Sequence, residues 1–346
     1  MARLYTHHRS VSIWLLFVIF LVAAIVVVGG ATRLTNSGLS ITEWAPIRGA
    51  LPPLSTEAWL AEFEKYKLIP EFEAEHPDMD LAGFKFIYFW EWAHRQLGRF
   101  IGLAYLLPLI AFAVRRKLPK GRAWLFVVPL ILICIQGGIG WWMVYSGLQE
   151  GMVDVSQYRL ATHLGMAFII LGVLFWLRSS YDAGFDNDHS GRPFVKRTSL
   201  FAILVYVQII AGAFVAGTKS GRSYNEWPLM DGDFVPAGYG IMSPFWKNLF
   251  ENTAAIQFNH RMLAYVILIM GVWIWFSLRK SQNLKRVAVL MLIILLWQVG
   301  LGIWTLLSGE NFDPAHIKLA LLHQFSSIFV FLVALSLAFK ARYKLG

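Results

Sequence analysis

Four histidines lie inside apolar stretches and form two matched pairs: His94 and His260 are 166 residues apart, and His163 and His323 are 160 apart. Imidazole ligates metals and is a standard axial ligand of haem iron. In hydrocarbon a polar ring is costly unless partnered, so a pair that occurs twice points to a functional site. Two pairs suit two haems. Only the first pair has a carboxylate beside it. Glu91 precedes His94 by three residues, one turn away on the same helical face, whereas the matching stretch Gln257-Phe258-Asn259-His260-Arg261 carries an amide at that place. A buried glutamate must be ion-paired, protonated or used. Arg95, Arg99 and Arg33 are its candidate ion-pair partners, and proton transfer is the use. This asymmetry assigns haem chemistry to the first pair and electron storage to the second.

A membrane bundle must position these residues. Of 346 residues 57% are hydrophobic and 15% charged, and the mean hydropathy is +0.54, values that an ordinary soluble surface does not tolerate. Runs long enough to cross about 30 Å of hydrocarbon fall near residues 11–31, 84–114, 122–146, 159–178, 198–217, 257–277, 286–308 and 316–339. The expected fold class is therefore an all-α integral membrane protein of eight transmembrane helices. The first run is too long for a signal-peptide core and reads as an anchor. Basic residues gather at the amino terminus (Arg3, Arg9), in the 115–122 and 279–286 loops and in the tail (Lys340, Arg342, Lys344). Together with the 178–197 loop, these segments place both termini in the cytoplasm. The net charge of +10 thus records topology, and its scatter over separate loops argues against a nucleic-acid partner. Cys134, the only cysteine, lies within the third run, which excludes an intrachain disulfide and a cysteine metal site.

An internal repeat organises the chain. Gln136, Gly138 and Gly140 recur as Gln298, Gly300 and Gly302, displaced by 162; Thr35-Asn36-Ser37-Gly38 and Glu43-Trp44 recur as Thr218-Lys219-Ser220-Gly221 and Glu226-Trp227, displaced by 183. Repeats four helices apart enter from the same side, so the expected architecture is two pseudo-symmetric parallel four-helix bundles, residues 1–180 and 198–346. The first inter-helix loop is the longer one, and the acidic segment 54–80 supplies its excess and is expected outside. Each histidine should then lie four to ten residues into its helix, in the outer leaflet, facing its mate across the bundle.

Other roles exist for the same residues. An intramembrane histidine also serves as an interhelical hydrogen-bonding group. Zinc is disfavoured, because a two-histidine pair lacks its third and fourth ligands. Gly98, Gly138, Gly165 and Gly300 leave room for a flat macrocycle or simply allow close helix packing. Arg95 and Arg261, each adjacent to a histidine, either pair haem propionates or serve as helix-end cations. His7, His8, His76, His189 and His316 lie in termini or loops and receive no role.

The Glu91-x-x-His94-Arg95 motif, its copy at His260-Arg261, the Thr162-His163-Leu164-Gly165 and Leu322-His323-Gln324 sites and the doubled Gln-x-Gly pattern together resemble the haem A synthase family over nearly the whole chain. The resemblance implies oxidation of the C8 methyl of haem O to the formyl of haem A for cytochrome oxidase assembly. It implies a haem b cofactor on His260 and His323, His94 and His163 on the iron of the substrate haem, and Glu91 near the reacting methyl. It also implies hand-over of haem O by haem O synthase, an unidentified electron donor and a bacterial inner-membrane location. Lacking external cysteines, the chain resembles the cysteine-free branch typical of proteobacteria and mitochondria. Two rival functions use the same histidines: a b-type cytochrome that passes electrons without converting haem, and a transporter with histidine proton relays.

Overall fold

The computed structural model describes residues 6–45, 48–185, 194–309 and 314–343; Arg3, His189 and Lys344 lie outside the described residues. Among the described residues ten α-helices follow in order: α1 (Arg9–Leu34), α2 (Thr56–Lys67), α3 (Pro70–Glu75), α4 (Leu81–Val114), α5 (Val127–Gly147), α6 (Gln157–Asp182), α7 (Val195–Gly217), α8 (Thr253–Leu278), α9 (Lys285–Leu307) and α10 (Pro314–Arg342). All but the short α2 and α3 are long and apolar enough to cross a membrane, α5 with the single-turn helix that leads into it. The chain is a multi-pass membrane protein. Helices satisfy every backbone group internally, as hydrocarbon demands, and the eight spans overlap the eight apolar runs of the sequence.

Burial separates central helices from peripheral ones. Half of the most apolar window of α1 and 44% of that of α6 is buried, against 17% for α4 and 11% for α5. The centre is made by α1, α6, α7 and α10, which contact one another across the molecule, while α4 packs on α1, α5 on α6, α8 on α7 and α9 on α10. Val18, Val22, Phe168, Leu171, Phe201, Ile274, Phe331 and Ala334 belong to the continuous core. Close approach is needed where α1 meets α10. The Gln324 amide donates to the Val26 carbonyl at 2.7 Å, and a methyl at Gly30 would overlap that same side chain.

α4 has 34 residues, about 51 Å at 1.5 Å per residue, and so outreaches the hydrocarbon by roughly 20 Å. Its first turns stand beyond the other helices, capped by the Asp80 carboxylate, which accepts from Gly83 N at 2.8 Å. The acidic insertion folds onto this projection as α2 and α3, with Phe63, Tyr66, Phe84, Ile87 and Tyr88 as a separate small core. One histidine therefore stands further along its helix than the other three. His163, His260 and His323 lie six, seven and nine residues into their helices, but His94 lies 13 residues into α4, because that helix begins early to carry the insertion.

The turns after α1 and α7 correspond closely. Asn36 and Lys219 both adopt left-handed backbone, with φ of 47° and 53°. Thr35 and Ser37 share a 2.7 Å hydroxyl bond, and Thr218 bonds Ser220 in the same way. Lys219 pairs with Glu75 at 3.0 Å and Asp154 at 2.7 Å, and Arg33 with Asp154 at 3.4 Å, which ties the insertion to both repeats.

Candidate functional site: two histidine pairs

His94 on α4 and His163 on α6 face each other, their ring centres 6.4 Å apart and their planes 48° from parallel. Two imidazoles holding one metal ion at about 2 Å each would have ring centres roughly 6 Å apart. The first pair therefore has the spacing of two imidazoles that hold one metal ion between them. No group of three or more His, Cys, Asp or Glu side chains suited to a metal ion exists among the described residues.

Each of the four rings stands against a glycine of the neighbouring helix. A methyl on Gly29 of α1 would lie 2.8 Å from Cε1 of His94, and one on Gly140 of α5 would lie 3.0 Å from Cε1 of His163; the corresponding distances are 3.2 Å for Gly212 of α7 and His260, and 3.0 Å for Gly302 of α9 and His323. These four glycines set the ring orientation. The others singled out above behave differently: Gly138 and Gly300 face open space, Gly98 lies at ordinary contact distance from Ile25, and Gly165 admits Ile210 and Tyr206 as a close-packing position.

Three rings have a second neighbour, one turn before the glycine. Gln136, Gln208 and Gln298 each donate from Nε2 to the carbonyl of their histidine at 3.0 Å and lie 3.2 Å from its Nδ1. The spacing Gln-x-x-x-Gly, at 136 and 140, 208 and 212, and 298 and 302, was readable in the sequence, although Gln208, Gly29 and Gly212 escaped notice there. On α1 the fourth copy of the pattern reads Ile25-x-x-x-Gly29.

The acid beside His94 is fully engaged. Glu91 is 3% exposed; its Oε2 accepts from Ser40 Oγ and Ile41 N, both at 2.8 Å, and its Oε1 from Arg95 Nη2 at 2.6 Å and Nε at 3.1 Å. Of the three candidate partners, Arg95 forms the ion pair. Arg33 turns to Asp154, and Arg99 donates to the Ala45 carbonyl at 3.2 Å. Arg95 also donates to the carbonyls of Ile41 and Glu43, so acid and base together fasten the post-α1 loop to α4. The second site repeats the frame with an amide: Arg261 donates to Gln257 Oε1 at 2.9 Å and to the carbonyls of Tyr224 and Leu229, while Gln257 donates to the Ser220 carbonyl. Ile41 and Tyr224 are equivalent under the 183-residue displacement.

Above the first site, Tyr66 Oη in α2 lies 2.7 Å from His76 Nδ1 and 3.2 Å from Glu71 Oε2. Burial first, then the nearby carboxylates of Glu91, Asp154 and Glu75, pushes the Glu71 carboxyl up to about 8, against a lowering by Tyr66. Burial also raises Tyr66 and lowers His76. His7 bonds Asp182 and His316 bonds Ser308, both away from the pairs.

Fold and site define a polytopic membrane protein whose helices present two pairs of partly buried imidazoles. Residues 12–335 match the COX15-CtaA family, described as cytochrome oxidase assembly protein, and the chain belongs to that family. Similar proteins named heme A synthase come from Dinoroseobacter shibae (44% identical, covering 96% of this chain and 88% of that protein), Caulobacter vibrioides (44%, 96% of each) and Paracoccus denitrificans (43%, 96% and 88%).

Proposed function

We propose that the chain is a haem A synthase that oxidises the C8 methyl of haem O to the formyl of haem A for cytochrome oxidase assembly. The observation that carries this reading is the His94–His163 pair, spaced for one iron, with Glu91 one turn away and Gln257 in its place beside the other pair. In this reading residues 1–180 hold the substrate and residues 198–346 hold haem b on His260 and His323, where it supplies one-electron storage.

His94 and His163 fix the substrate iron, and the glycine-set rings fix how the macrocycle is turned. Replacing two C–H bonds of a methyl by a carbonyl is a four-electron oxidation that takes up one oxygen atom, from water with an electron acceptor or from dioxygen with an electron donor, and a base near the carbon receives the proton released. Glu91 is that base, and Arg95 with the Ser40 and Ile41 donors holds its carboxylate in place. Arg95 and Arg261, whose donors are largely committed to residue 91 or 257 and to loop carbonyls, would attract haem propionates by their charge and not by a two-pronged pairing. The substrate arrives from haem O synthase, and a separate, unidentified electron donor serves the haems. The location is the bacterial inner membrane, with both termini cytoplasmic.

The test is expression in a host that makes haem O and lacks its own haem A, followed by pigment extraction. Formyl haem in the extract, with haem b retained on the purified protein, is the expected result. Haem b without conversion would make the protein an electron carrier, and no haem at all would favour transport.

A further inference from the structure

Three of the four histidines are braced by a glutamine, and His94 is not. Its Nδ1 is buried without a hydrogen-bond partner among the described residues. The position that supplies the brace on α5, α7 and α9 is occupied on α1 by Ile25, whose Cδ1 lies 3.6 Å from the place of a Gly98 methyl, one turn along α4 from His94. Ile25 has no group to offer a ring nitrogen. A ligating imidazole ordinarily gives its second N–H to an acceptor that fixes the ring and raises its basicity; losing that partner weakens metal binding about 10–100-fold. Each of the three glutamines lies 3.2 Å from Nδ1 of its histidine while its Nε2 donates to that histidine's carbonyl at 3.0 Å, so it holds the ring from the side that Ile25 leaves without a polar neighbour at His94.

We propose that Ile25 is a positioning residue which, by leaving His94 unbraced, makes His94 the yielding axial ligand of the substrate haem, while His163, His260 and His323 stay on their irons. An exogenous ligand then reaches one face of the substrate iron, the face towards α4, and neither face of the resident haem. The inference rests on the assignment of His94 and His163 to a haem.

Carbon monoxide binding tests it without reference to turnover. The purified full chain is loaded with one further equivalent of protohaem, haem content is measured by the pyridine haemochrome method, and the dithionite-reduced protein is mixed with carbon monoxide. The wild type should hold two haems, of which one binds the gas. Ile25→Gln should keep both haems and slow that binding at least tenfold, and Gln208→Ile should make the resident haem reactive as well. Unchanged binding in Ile25→Gln, or a resident haem in Gln208→Ile that stays inert or is lost although His323 keeps its own glutamine, overturns the inference and leaves the two-haem assignment standing. If Ile25→Gln does not fold, Gln208→Ile decides alone. Failure of the wild type to take up a second haem overturns the assignment and the inference together.

Discussion

His94 and His260 occupy matching places on α4 and α8, each with a glycine against Cε1 and an arginine following in sequence, yet their surroundings differ in three respects. Glu91 stands where the other site has Gln257, Ile25 where it has Gln208, and the α2–α3 insertion covers the end of α4 where α8 begins without one. The second site is the more rigidly specified: both of its rings are braced, and the frame beneath its loop is neutral except for Arg261. The first has a charged frame, one free ring and a lid. On the proposed assignment, the shared scaffold gives the cofactor two braced ligands and the substrate one braced and one unbraced ligand.

The largest expected effect separates the two pairs outright. His260→Ala or His323→Ala should abolish the stable haem b spectrum of the purified protein, whereas His94→Ala should leave most of it. The opposite pattern would reverse the assignment of the halves.

Next comes the acid. Glu91→Gln copies the arrangement that already exists around Gln257, where an amide oxygen accepts from the neighbouring arginine at 2.9 Å. Its structural penalty is one poorly paired donor at Ile41 or Ser40, about 1–3 kcal/mol. Folding and haem b should survive, while formyl-haem formation falls by on the order of 100-fold or more, as loss of a positioned base implies. Haem O or its hydroxymethyl derivative should accumulate. Undiminished haem A would remove Glu91 from the chemistry. A joint fall in yield and haem b would mean that the ion pair with Arg95 is purely structural.

A smaller change probes the glycines. Gly302→Ala places a methyl 3.0 Å from His323 Cε1, and overpacking of this kind costs about 1–3 kcal/mol. Haem b affinity should drop roughly tenfold, with binding at the first site untouched; Gly29→Ala should do the converse. Equal losses at both sites in either variant would show that the glycines serve general helix packing and not the adjacent ring.

The smallest effect concerns the lid. The Glu71 carboxyl titrates near 8 in the folded insertion, above the unfolded value of about 4.3. As pH rises past that lower value the unfolded segment releases its proton first, so the stabilisation is present in acid and is lost progressively up to about pH 8. Proteolysis of the 56–76 segment should accelerate between pH 5 and 8 in the wild type, whereas in Glu71→Gln it should slow slightly as pH rises through about 6.5, because burial lowers the His76 imidazole and its deprotonation favours the folded segment. A wild-type slope retained by the variant would place the titrating group elsewhere.

The membrane class, the eight spans, the repeat and the four histidines were all legible in the chain, because each depends on hydrophobic length or on residue types recurring at fixed displacements. Glu91 was legible as an anomaly for the same reason, being a break in an otherwise matching pair. What it touches was not. Arg33, Arg95 and Arg99 were equivalent in sequence terms, and only the fold of the loop after α1 gave the carboxylate to Arg95, Ser40 and Ile41. The early start of α4 at Leu81 was not legible, because the insertion that packs on its first turns is a tertiary event with no mark in the apolar run. Four glycines and three glutamines define the ring settings, and they lie on different helices from the rings they touch. Periodicity along one helix reports which residues share a face; which face meets a ring on another helix depends on how two rods are rotated and shifted against each other, and only packing in three dimensions decides that.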